Sequence, residues 1–459
     1  MRAHESVFSL SAIGVSLALS ISLAPSSSKL QAAELQAGAA SKAFEAGNDL
    51  VIGGGIGPGF AKGQEGELRA AAVVIVGPDG GKACLVACDV LMIERDILDA
   101  AARRVSEKIG VPLDAVLINC THTHHAPTTV TIHGYEREEG FTRQVADKIV
   151  DAAVAANARL QPVSFRFRLG EEASVGRNSR LLLEDGTIYW VGSSADALRP
   201  TGPFDPDLPV MAFDRKDGKP EAVLFNHSTH TIGTLLPQVR SPSFYGLAAQ
   251  ELEKERGGTF LFFEGASGST HNLDLKAPEA LLRIKTAVAD TLDAAQELPV
   301  RRVAGRRKEI SLLVRHFDEA KDDAAVVAYC TKRQPSPYHE TTIGIFREMR
   351  KKIAPRQGQE RKTWVQVIMI GDVALVGVSG EFFTTLGREI KLRSPFRYTY
   401  VFELANDYVG YIPDARAYDR GGYQVWTGLH SYLEKGSGEK IVDAAVSLLK
   451  EFPAQSAVK

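Results

Sequence analysis

The sequence predicts an α/β fold: one domain over 40–459, with a mixed sheet and flanking helices. Three features carry the prediction. Short apolar, β-rich runs alternate with segments of helical period, the pattern of strands covered by helices. Gly and Pro punctuate the changes of period. No Pro-, Gly- or Ser-rich linker divides the chain after residue 40. Taken in order, 71–76 and 82–90 read as strands. Helical spacing holds over 93–109, where Ile93, Ile97, Ala101, Val105 and Ile109 recur every four residues, and Gly110 and Pro112 end the helix. A short buried strand at 115–119 precedes an amphipathic helix at 141–160. The stretch 170–220 is irregular and Pro-rich and reads as a long loop lining a site. Strands at 222–225 and 259–263 bracket a helix at 245–256, and 278–298 is a long Ala/Leu helix. A hairpin joins 364–370 to 373–378 across Gly371-Asp372. A helix at 382–391 and a strand at 398–403 follow, and Gly436-Ser437-Gly438 breaks the chain before a closing helix at 441–452.

Composition narrows the function class. Lys+Arg number 54 against 56 Asp+Glu, a net charge of −2, so nothing points to a nucleic-acid partner. The Cys residues (84, 88, 120 and 330) form no C-x-x-C pair, which argues against a disulfide scaffold or a Cys-based zinc knuckle. At the N-terminus, Arg2 and His4 precede an apolar, Ser-laced run at 7–24, followed by Pro25 and serines. This is the pattern of a secretory signal peptide, so 1–33 is expected to be signal and linker, with Ala/Gln/Ser-rich chain running on to about Ala40. The expected location of the protein is exported, periplasmic or secreted.

Four of the 11 His fall between 122 and 133: His122, His124, His125 and His133. His122 and His124 follow the strand ending at Asn119; residues two apart in extended chain point to one side, which suits a metal. The plain alternative is a His-rich solvated loop. His230, or His227 three residues earlier, could add a further nitrogen, the other being a structural His. Glu381 follows Gly380 after an apolar strand, at the crevice where α/β proteins bind ligands; a carboxylate near a helix start is equally favoured by the helix dipole. Tyr408, Tyr411, Tyr418 and Tyr423 cluster within 20 residues, either as hydroxyl donors to a site or as half-buried packing. The glycine run 53–59 fits G-x-G-x-x-G in no register, and no G-x-S-x-G occurs. The sequons at Asn119 and Asn226 fall on strand ends expected to be buried.

With these residues in view, 48–445 resembles the catalytic domain of the neutral/alkaline, non-lysosomal ceramidases. THTHHAP at 121–127 is similar to the family's THTHSGP, FNHSTH at 225–230 to its second His segment, and GVSGEFFTTLGREI at 377–390 to GVPGEPTTMAGRRL. LANDYVGYIPDARAYDRGGY at 404–423 looks like LANEYTSYVTTREEYAAQHY. The resemblance implies a zinc site at strand ends held by His122, His230, Glu381 and Tyr411, with His124 and Tyr423 binding the transition state. It implies hydrolysis of an N-acyl amide in a small amphipathic lipid such as an N-acylsphingosine, a substrate compatible with transient contact with a membrane surface. The family's Asn-Arg-Ser motif corresponds to Arg177-Asn178-Ser179-Arg180, so Arg177 and Arg180 compete for its arginine role. Its serine-bearing segment corresponds to 268–272, where His271 stands at the serine position and Ser267 and Ser269 lie out of register. Attack by a metal-activated water, with His271 protonating the leaving amine, is therefore the expected mechanism. The C-terminal immunoglobulin-like domain of many members is expected to be absent. Two other readings stand beside this one: a same-fold hydrolase of another amide or ester, and an inactive zinc- or lipid-binding relative.

Overall fold

The computed structural model describes Met1, residues 4–10 and residues 34–453. The expected signal segment therefore lies largely outside the described residues. No helix among them is long and apolar enough to cross a membrane.

The first sheet is built from β1 (Gln36–Ala43), β2 (Arg69–Val76), β3 (Lys82–Cys88), β4 (Val116–Cys120), β5 (Gln161–Glu171), β6 (Asp207–Arg215), β7 (Pro220–His227) and β8 (Thr259–Glu264). Their spatial order is β8-β7-β6-β5-β1-β2-β3-β4. β3/β4 and β7/β8 pair parallel; the central pairs are antiparallel. The second sheet runs β9 (Val303–Leu313), β10 (Glu360–Ile370), β11 (Val373–Val378), β12 (Tyr398–Phe402), with β11/β12 parallel. Helices α1 (Arg95–Ile109) and α2 (Glu139–Asn157) cover the β1–β4 half of the first sheet, and α3 (Ser243–Arg256) and α4 (Ala277–Asp293) the other half. α5 (Glu319–Arg333) packs on α6 (Tyr338–Ile353). On the second sheet lie α7 (Thr384–Arg393) and α9 (Ser437–Lys450), with the short α8 (Ala415–Arg420) between them in sequence. The two sheets share one apolar cluster, and β3 and β11 are buried on both faces. A smaller cluster lies beneath α3 and α4.

The mixed sheet with flanking helices is the predicted class. Three predictions need correction. The expected linker to Ala40 is instead β1, in the middle of the sheet. Its run QAGAASKA has weak β propensity but is small because α2 crosses it closely: a Cβ on Gly38 would meet the Ala156 carbonyl oxygen at 2.3 Å. The expected long loop at 170–220 contains β6, buried along most of its length. The closing helix starts at Ser437, with Gly436 as its left-handed N-cap, so Ser437-Gly438 belongs to the helix.

Buried side-chain amides join the sheets. Asn119 accepts from Glu264 N at 3.1 Å and donates to Glu403 O. Asn226 donates to Phe263 O and Val401 O at 2.8 and 3.2 Å. Gln366 donates to Asp114 O and Val116 O and accepts from Asn406 Nδ2. Both sequons are thus buried, as the sequence suggested, and committed to backbone partners. Asn119→Leu leaves the Glu264 N–H and the Glu403 carbonyl buried and unpaired; a stability loss of about 3 kcal/mol is expected in urea denaturation.

Candidate metal centre

Three parallel strand pairs present their carboxyl ends to one place. Backbone bonds lock them together: Asn406 N to Ile118 O at 2.9 Å, Cys120 N to Leu404 O at 3.3 Å, and Glu403 N to Glu264 O at 3.0 Å. His122 lies just past β4, His230 past β7, Glu381 past β11 and Tyr411 past β12. Glu381 does not open a helix as expected. It sits in a two-residue strand in parallel register with Tyr411, and α7 begins only at Thr384. All four side chains are buried.

Their donor atoms face one another. Glu381 Oε2 lies 3.5 Å from His122 Nε2 and 3.3 Å from His230 Nε2. The Tyr411 hydroxyl is 3.2 Å from His230 Nε2. His124 Nε2 is 3.3 Å from His122 Nε2, and His122, His124 and His230 form a group able to hold a metal ion. The tautomers follow from the opposite ring nitrogens. Nδ1 of His122 faces Leu91 O at 3.0 Å, that of His230 faces Ser267 O at 2.9 Å, and that of His124 faces Gly54 O at 3.2 Å. A carbonyl only accepts, so each Nδ1 carries the hydrogen and each Nε2 turns its lone pair inward. Converging lone pairs repel unless a cation lies between them. A tetrahedral ion with ~2.1 Å bonds spaces its ligands ~3.4 Å apart, matching the separations found here. The donor set fits a metal.

His122 reaches this position differently from the expected extended H-x-H. Its φ is 60°, in the left-handed region, a costly conformation for a residue with a side chain. The glycine run is explained here too. Gly54, at φ +105°, lies so close to His124 that a Cβ would stand 2.5 Å from its Nδ1.

Burial and mutual proximity set the electrostatics of this cluster. Burial lowers the His230 pKa and neighbouring His122 lowers it further, against the Glu381 carboxylate. Burial and then His122 and His230 hold His124 well below the usual range. Burial pushes the Glu381 carboxyl up, but the His122 and His230 imidazoles outweigh it and hold it well below the ordinary carboxylate value.

The donors underlie a cavity of about 280 Å³, lined by Gly54, His124, Ser179, Trp190, His230, His271, Tyr411, Tyr423 and Gln424 among others. Tyr423 stacks on Trp190 with ring centroids 4.5 Å apart, and its hydroxyl is 3.1 Å from His133 Nε2. His271 stacks on His230 at 4.0 Å; burial, then His230, hold its pKa well below the usual range. Neither arginine lines the cavity. Arg177 points outward into an ion pair with Asp274 at 2.8 Å. Arg180 is buried and donates to Gln424 Oε1 at 2.8 Å and Gly421 O at 2.7 Å, holding the Tyr423 segment one layer away. The serines near 268 also face away: Ser267 Oγ donates to Glu403 and Ser269 Oγ to Thr384. His227 is the structural histidine, tied to Tyr245 and Glu172 O.

Sequence reasoning missed Trp190 and Gln424, which no motif marks, and passed over Ser179 between the two competing arginines. It also missed Glu403. The Glu403 carboxylate accepts from Ser267 N at 3.0 Å, Ser267 Oγ at 2.8 Å and Phe382 N at 2.7 Å. It thereby fixes both the residue whose carbonyl orients His230 and the neighbour of Glu381. Burial pushes Glu403 and nearby Glu264 up together. Glu264 accepts from Thr231 Oγ1 at its Oε2, and its Oε1 has no hydrogen-bond partner.

Two solved structures are similar along most of the chain. The neutral ceramidase of Pseudomonas aeruginosa matches with a TM-score of 0.69 at 18% identity, over 93% of this chain and 76% of its own. A ceramidase complexed with C2 matches at 0.70 and 18%, over 93% and 77%. The chain has the neutral ceramidase fold. No protein-family model and no curated protein matches its sequence.

Two measurements check this arrangement. Glu403→Ala should weaken metal affinity by about 10- to 100-fold, read by competition with a chelator, because the ligands lose their outer support. Burial lowers the pKa of His133 to about 4, and burial with His133 lowers that of His430 to about 3. The unfolded chain, with His near 6.5, then takes up protons that the folded chain refuses. The contribution of these two histidines to folding stability should be complete above pH ~6.5 and be lost as pH drops toward 4, so wild type should lose more stability than His133→Gln across that range in urea denaturation.

Proposed function

We propose that this protein is a zinc-dependent amidohydrolase that cleaves the N-acyl amide of an amphipathic lipid of the N-acylsphingosine type. The observation that carries the reading is the convergence of two Nε2 atoms, a carboxylate oxygen and a phenol, each 3.2–3.5 Å from a neighbour, under one cavity. The ceramidases that share the fold support the substrate class. His122, His230, Glu381 and Tyr411 would hold the ion. A zinc ion there supplies Lewis-acid polarisation of the acyl carbonyl and a water acidic enough to attack it near neutral pH.

The chain's own residues do the rest. Tyr423 faces the cavity and its hydroxyl hydrogen-bonds the oxyanion as the carbonyl becomes tetrahedral, such a donor contributing roughly 3 kcal/mol, while His124, with its hydrogen on Nδ1, borders the same space as an acceptor. Arg180 acts through Gln424 and Gly421, keeping the Tyr423 segment in place. His271 borders the same cavity; neutral at rest, it takes up the proton lost by the attacking water and passes it to the departing amine. Trp190 holds the Tyr423 ring flat and helps keep water out. The apolar run at 7–24 supports export of the enzyme.

A second reading, an enzyme for smaller acyl amides, is favoured by the cavity itself. At about 280 Å³ it lies just under the usual range for drug-sized ligands, so only the amide and the carbons beside it fit inside. His122→Ala and Glu381→Ala are each expected to abolish zinc content and hydrolysis together, measured by elemental analysis and an N-acylsphingosine assay. Full metal content with no turnover of long- or short-chain N-acyl amides would overturn the proposal.

A further inference from the structure

A second, larger cavity of about 540 Å³ lies beyond the aromatic wall of the first, bounded by α5, the turn at 185–188 and the 418–426 segment. Its lining is divided in character. Trp426, Tyr329 and Tyr418 form one wall, and α5 adds the small exposed Ala325 and Ala328 as an apolar ledge. The remainder is cationic. Lys332 and Arg333 are already paired with Asp185 and Asp196. Arg315, Lys321 and Arg420 have no carboxylate within ion-pair distance among the described residues, and one uncommitted carboxylate, Asp322, stands against these three charges.

Arg315 is the informative member. Its guanidinium sits over the Tyr418 ring at 5.3 Å and donates to Val425 O at 2.7 Å and to Ser431 O and Oγ at 2.6 and 2.7 Å. Its Nε is buried and has no hydrogen-bond partner. A guanidinium packed into a wall without a counter-charge is costly, and an anion in the adjoining cavity removes that cost. The apolar ledge and aromatic wall suit a hydrocarbon body behind the anionic head.

We propose that this cavity binds an amphipathic anion: an apolar chain ending in a carboxylate or phosphate, with the head toward Arg315, Lys321 and Arg420. The site is separate from the metal centre and stands whether or not the proposed hydrolysis is correct. Its occupant would touch Val425 and Trp426, next to Tyr423 and Gln424 in the catalytic cavity.

Titration calorimetry of the full-length protein with dodecanoate, dodecyl phosphate and uncharged dodecanol tests the proposal. Both anions should bind, or one of them if the head is selected, and dodecanol at least about tenfold more weakly. The double variant Lys321→Glu/Arg420→Glu should lose at least about tenfold in affinity for the anion, and Ala328→Trp, which fills the ledge, should lose binding with metal content unchanged. Equal binding of dodecanol and the anions would overturn the proposal. So would wild-type anion affinity in both variants, which would put the ligand elsewhere.

Discussion

One buried carboxylate braces the centre from behind its inward-facing donors. Glu403 stands at the end of β12 and takes hydrogens from two chain segments more than a hundred residues apart, Ser267 and Phe382. It adds to the Gly268 N to Phe382 O bond at 3.0 Å and the Thr384 Oγ1 to Ala266 O bond at 2.9 Å, which hold the carbonyl behind His230 in register with the strand carrying Glu381. A charge in so dry a place is tolerable because three donors surround it. The Asn119 and Asn226 amides extend the same logic outward, using side chains where strands of two sheets meet without a shared ladder.

Much of the fold was legible because hydrophobic period reports burial directly. Helices such as α1 and the hairpin of β10 and β11 fell within a few residues of their predicted bounds. The elements that escaped were those whose composition answers to a neighbour. β1 is built from Ala, Ser and Gly because α2 leaves no room for larger side chains, so it reads as linker. β6 hides among prolines and aspartates, yet seven contiguous residues from Leu208 to Asp214 are buried.

For the site, the motifs singled out His122, His124, His230, Glu381 and Tyr411, and the structure brings these side chains together. The two arginines could not be assigned, since the stretch 177–180 gives no sign of which side chain turns inward; one turns to solvent and the other to the Tyr423 segment. Glu403, Trp190 and Gln424 matter through partners distant in sequence, and no local pattern marks such a residue. The glycine run was a false dinucleotide signal, but its glycines were not idle: they allow backbone to approach an imidazole.

The order of the four inward-facing donors along the chain has a consequence for biogenesis. They span residues 122 to 411, and Tyr411 is held by a backbone bond to the carbonyl of His430. A polypeptide emerging from the ribosome, or threading through a translocation pore, has almost its whole length to deliver before the last donor arrives. Any ion this pocket holds is thus captured after synthesis, in whichever compartment the finished chain folds, and that compartment's ion supply sets which element is inserted.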